Sequence, residues 1–122
     1  MASRTFVIFA FRVAALISLL VIIWASLVPA EVRPTVGAKG VMEHMLAYAG
    51  SAFLFAIGFA QLRAMLILIG LAVLSGCLEL AQLYVPGRNA QFVDAFMSSA
   101  GAGLGLLVAS VVRAMHWERI FR

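Results

Sequence analysis

The chain predicts an all-α fold: an integral membrane four-helix bundle with both termini cytoplasmic. Hydrophobic residues make up 65% of the 122 residues, charged residues only 11%, and mean hydropathy is +1.09, far outside the soluble globular range. The apolar residues fall into four runs, about 6–28, 44–60, 64–83 and 92–112. Each run approaches the roughly 20 residues that a helix needs to cross a hydrocarbon core of about 30 Å. The breaks between them are short, so residues 1–122 read as a single transmembrane domain.

The first run is flanked by Arg4 and interrupted only by Arg12. Its rival reading is a cleaved signal peptide ending at Val28-Pro29-Ala30. The apolar stretch exceeds the roughly 7–15 residues of a signal core and carries bulky Trp24 near its end, which favours a retained span. Pro29 and Pro34, with Gly37 and Gly40, make the break from Pro29 through Gly40 an irregular loop outside the hydrocarbon.

In the second run His44, Tyr48 and Ser51 fall at helical spacings of four and three, placing an imidazole, a phenol and a hydroxyl on one face. After the short break Gln61-Leu62-Arg63, the third run repeats the pattern with Ser75, Glu79 and Gln82. Cys77, the only cysteine, excludes an internal disulfide and a thiolate zinc site and reads as a small packing residue. The third break, around Val85 to Ala90, opens on a Pro86-Gly87 turn signal, and Asp94 stands at the head of the fourth run. There Asp94, Ser98, Gly101 and Gly105 share a face, with Ser99 and Gly103 beside it; small residues at these intervals let helix backbones approach, so Gly101, Gly103 and Gly105 read as packing residues. The tail His116-Trp117-Glu118-Arg119 resembles an interfacial anchor.

A formal net charge of +4 does not point to nucleic acid, because the cations flank apolar runs instead of forming one stripe. With four crossings, one side collects Arg4, Arg12, Arg63, Arg113, Arg119 and Arg122, and the other Arg33, Lys39 and Arg88. The richer side is cytoplasmic by the positive-inside rule. Glu31, Glu43, Glu79 and Asp94 then gather at the outer face.

A charged side chain at mid-bilayer costs roughly 2.5–3.5 kcal/mol, so the cluster from Glu79 to Asp94 is where function is sought. Two accounts stand side by side. In one, Arg88 pairs with Glu79 or Asp94 and His44 caps them, clamping three helices together; in the other, His44, Tyr48, Glu79, Gln82, Arg88 and Asp94 line a ligand pocket. A metal would have to draw His44, Glu79 and Asp94 from three helices with no short histidine spacing, so neither metal nor cofactor is expected. A serine hydrolase lacks any Gly-x-Ser-x-Gly context, and no catalytic residue is assigned.

Trp24-x-Ser26-x-x-Pro29, Glu43-His44-x-x-Ala47-Tyr48, Gly76-x-x-Glu79-x-x-Gln82-x-x-x-Pro86-Gly87-Arg88, and Asp94 followed by Gly101 and Gly105 together resemble VanZ-like membrane proteins. The resemblance runs through all four helices, and its most specific part is Glu-x-x-Gln with Pro-Gly-Arg and the following aspartate. It implies a small multi-pass protein of the bacterial inner (plasma) membrane, in a family whose founding member is associated with low-level resistance to the glycopeptide teicoplanin. Many members carry Asp-Lys shortly before the histidine, whereas Ala38-Lys39 lies further away here, so no role passes to Lys39.

The leading expectation is therefore an outer-face polar pocket contacting a membrane lipid or a glycopeptide-related headgroup, with Arg88 on an anionic group and Glu79 and Asp94 orienting it. One alternative is an accessory subunit packing on a larger membrane complex, or a homo-oligomer, through the face from Gly101 to Gly105. A weaker one is an envelope enzyme acting on a lipid-linked substrate with Glu79 or Asp94 as base.

Overall fold

The computed structural model describes residues 3–29, 31, 40–87 and 91–120, the side chains of 117–120 excepted. These residues form four helices in chain order: α1 (Arg4–Leu27), α2 (Gly40–Gly58), α3 (Ala64–Gln82) and α4 (Phe92–Ile120). All four are long and apolar enough to cross a membrane.

Local chemistry sets several of the ends. Ser3 caps α1 by accepting the Phe6 N–H at 3.2 Å, and the helix stops just before Pro29, which cannot continue it. Beyond α3, Pro86 fixes one φ and Gly87 adopts φ 74°, a left-handed conformation that glycine enters without a Cβ clash. Asp94 lies in the first turn of α4, where a carboxylate complements the exposed N–H groups.

Two boundaries differ from the sequence reading. Helix α2 begins at Gly40, not near residue 44, so Gly40 belongs to the helix and Glu43 sits in its first turn. Helix α4 runs to Ile120, not to about 112, because hydropathy marks where hydrocarbon ends and not where backbone hydrogen bonding ends. Most of the first break and the Arg88 end of the third, with Arg33 and Lys39, lie outside the described residues.

The bundle is apolar outside, and its interior mixes small and polar residues with large apolar ones such as Ile22, Ile57, Ile67, Leu71 and Leu78. Leu20, Phe9, Leu80 and Phe96 are exposed, whereas Ala15, Ser51, Ala52, Ser75, Ser98 and Ala102 are buried. Such a surface would be prohibitive in water and is ordinary against acyl chains, where small residues supply helix contact. Cys77 lies on this outer surface, so it is not the packing residue expected of it.

The closest helix contact joins α2 and α4. A Cβ added at Gly101 would fall on the Met45 carbonyl, and one at Gly105 on the Ala49 carbonyl. Because 101 to 105 maps onto 45 to 49, the two helices run parallel, as alternate members of an up-down bundle must. Gly103, two residues from each and so on another face, meets nothing within 4 Å. The seam within this chain thus uses two of the three glycines.

Helix α1 lies along α2. Phe11 and Phe53 meet edge to face at 6.5 Å, and the hydroxyls of Ser18 and Ser51 are 2.9 Å apart in the interior. At the C-terminal end of α2, Arg12 donates from Nε to the Gly58 carbonyl at 2.8 Å and sits 5.3 Å from the centre of the Phe59 ring. An open apolar groove of about 340 Å³ between Leu19, Phe55, Leu66 and Gly70 faces outward, a shape that an acyl chain fills.

Candidate functional site

The C-terminal ends of α1 and α3 and the N-terminal ends of α2 and α4 meet at one end of the bundle, and this topology gathers the polar residues. His44 contributes from α2, Glu79 from α3 and Asp94 from α4. One ligand atom of each lies within 4.8 Å of the other two. His44 Nε2 lies 3.9 Å from Asp94 Oδ2, an ion pair when the imidazole is protonated.

The cluster is sheltered but reachable. His44 and Asp94 side chains are each 15% exposed, and Glu79 is buried. Glu79 Oε2 accepts the Gln91 backbone N–H at 3.0 Å, which fixes the carboxylate against the chain entering α4.

A second layer lies beneath. Buried Tyr48 is hydrogen-bonded to Ser75, joining α2 to α3 one turn inward from His44 and Glu79. Gln82, also buried, donates from Nε2 to the Ser26 carbonyl at 3.2 Å and so joins α3 to the end of α1. Ser98, one turn along α4 from Asp94, is fully buried, and its hydroxyl has no hydrogen-bond partner among the described residues.

Five of the six residues expected in the polar cluster thus sit at one end of the bundle; Arg88 lies outside the described residues. Among the five, His44, Glu79 and Asp94 converge, Tyr48 lies a layer below, and Gln82 is engaged as a helix tie. Sequence reasoning missed Ser26 as the carbonyl partner of Gln82 and Gln91 as the donor to Glu79. Both contacts use backbone atoms, which carry no residue-type signal.

Replacing Gln82 with Leu is expected to cost about 1 kcal/mol, since interhelical side-chain hydrogen bonds in membranes average about 0.6 and reach about 1.7 kcal/mol. The Ser26 carbonyl loses only one acceptor contact. Unfolding titrations of the variant in mixed micelles measure the difference, and a loss above about 3 kcal/mol would show that Gln82 holds more than this bond.

No family model matches the chain, and no curated protein or solved structure matches it either.

Proposed function

We propose that this chain is a small multi-pass, VanZ-like protein of the bacterial inner membrane, both termini cytoplasmic, whose polar rim pocket binds a lipid or glycopeptide-related headgroup at the outer face. The observation that carries the reading is the convergence of His44, Glu79 and Asp94 from three helices at one end of an otherwise apolar bundle. Ionisable groups so placed are costly for a fold to keep, and a ligand supplies the reason to keep them. In this reading Arg88 takes the anionic part of the headgroup, while Glu79 and Asp94 accept its donors. The VanZ-like resemblance rests on the motif residues alone.

The accessory-subunit reading drew on the small face from Gly101 to Gly105. Gly101 and Gly105 are already filled by α2, which removes two of the three glycines a foreign helix would use. The enzyme reading needs a carboxylate facing a reacting group, and no reaction is assigned.

Glu79→Gln, Asp94→Asn and Arg88→Ala are expected to leave accumulation and melting in detergent nearly unchanged. Each should lower retention of co-purifying lipid, read by native mass spectrometry, by about tenfold, the scale of one charge-assisted bond of about 1.5 kcal/mol. Loss of accumulation in all three would make these residues staples. A stoichiometric protein partner in place of lipid would favour the subunit.

A further inference from the structure

We infer that the His44–Glu79–Asp94 cluster binds a divalent first-row transition metal ion, zinc(II) or manganese(II) being the chemistry that fits. The inference rests on the rim pocket being a ligand site and names the class of ligand that its described residues favour.

The donor set comes first. One imidazole nitrogen and two carboxylates form a mixed nitrogen-oxygen set; imidazole suits zinc and its neighbours, and carboxylates extend the range to manganese. Two carboxylates against one dication also balance charge, which matters most where water is scarce.

Distance comes second. Ligand atoms about 2.0–2.2 Å from a tetrahedral metal stand roughly 3.3–3.6 Å from one another. Here the three atoms already lie within 4.8 Å of one another, and the His44–Asp94 pair is at 3.9 Å. Closing on an ion therefore asks for side-chain adjustments on the order of 1 Å, with no movement of a helix.

The surroundings supply the rest. Glu79 is held by the Gln91 N–H on Oε2, the kind of outer contact that orients a ligating carboxylate. The fully buried Ser98 hydroxyl, without a hydrogen-bond partner among the described residues and one helical turn from Asp94 on the same face, is a polar group for which a bound ion or its water gives a use. The 15% exposure of His44 and Asp94 leaves an entry at the rim. A local spacing motif is absent because each ligand comes from a different helix.

The competing arrangement is a metal-free network with Arg88 as the cation. The untagged full chain, purified in mild detergent and stripped with a chelator, is titrated with zinc chloride and with manganese chloride, calcium chloride serving as a control for non-selective carboxylate binding. Cobalt(II) gives a visible spectrum that reports coordination. The expected result is one zinc or manganese ion per chain, a raised melting temperature, and affinity lowered at least about tenfold by His44→Gln and by Asp94→Asn. His116→Ala, which removes the other imidazole, should change nothing.

If His44→Gln alters the metal-free melt, Asp94→Asn and the cobalt spectrum of the wild-type chain carry the test. No saturable binding, binding unmoved by both cluster variants, or binding abolished by His116→Ala overturns the inference. Lipid retention measured on the same chelator-treated protein separates the two proposals: retention without metal binding removes the ion and keeps the pocket, and loss of both removes both.

Discussion

Gly101→Ala and Gly105→Ala are each expected to destabilise the bundle by about 3 kcal/mol or more, whereas Gly103→Ala should be neutral or slightly stabilising. Helix propensity argues the same way for all three, since alanine gains roughly 0.8–1 kcal/mol over glycine in a helix interior. Packing separates them. At Gly101 the new methyl would meet the Met45 carbonyl, with its carbon and the Met45 Cα at 2.9 Å; at Gly105 it would meet the Ala49 carbonyl. At Gly103 it meets nothing within 4 Å. Overpacking a well-filled core costs about 1–3 kcal/mol even when side chains can yield. Here the obstacle is backbone, so α2 and α4 must separate, and the packing gain along their seam is lost with them. Reversible unfolding in mixed micelles, followed by circular dichroism, ranks the three variants; equal stability of Gly101→Ala and Gly103→Ala would remove the close seam.

That contrast shows what was legible in the residues. The spacing of 101 and 105 places them on one face and 103 elsewhere, but which face meets a helix depends on its neighbours. The polar stripes His44–Tyr48–Ser51 and Ser75–Glu79–Gln82 were readable because side-chain direction repeats along a helix. Their convergence follows from the up-down topology, which four apolar runs and short breaks already imply. The start of α2 was not readable: Gly40 is a poor helix former and Glu43 looks like loop, yet a carboxylate in a first turn is stabilising. The trio His44, Glu79 and Asp94 was readable as the set a metal would have to use, but not that one ligand atom of each lies within 4.8 Å of the others, because spacing across helices leaves no short motif.

Arg12 shows the same gap at the opposite end, and its replacement carries the second large expected effect. By sequence it counts as one cation among those setting orientation. In the fold, its Nε donates at 2.8 Å to the carbonyl of Gly58, the last residue of α2, and its guanidinium faces the Phe59 ring at 5.3 Å. Carbonyls of the last turn have no partner within the helix and carry its negative pole, so a cation there satisfies both hydrogen bonding and charge.

A hydrogen bond to a charged group contributes about 1.5–3 kcal/mol, and an exposed cation–π contact about 0.5–1 kcal/mol. Arg12 is exposed, and water can replace part of what it gives, so Arg12→Leu is expected to cost about 2 kcal/mol. Arg12→Lys should recover less than half, because an ammonium keeps the charge but loses the planar fork. A double-mutant cycle with Phe59→Leu isolates the ring contact. The consequence for the site is the sharper test. His44 lies near the other end of α2, and the Gly101 and Gly105 seam stands between it and Arg12, so folded Arg12→Leu protein should retain ligand at the rim within about threefold, less than the 1.4 kcal/mol that marks a factor of ten. If rim binding collapses while the helices remain intact, α2 is positioned from its Arg12 end, and the glycine seam does not set where the imidazole stands.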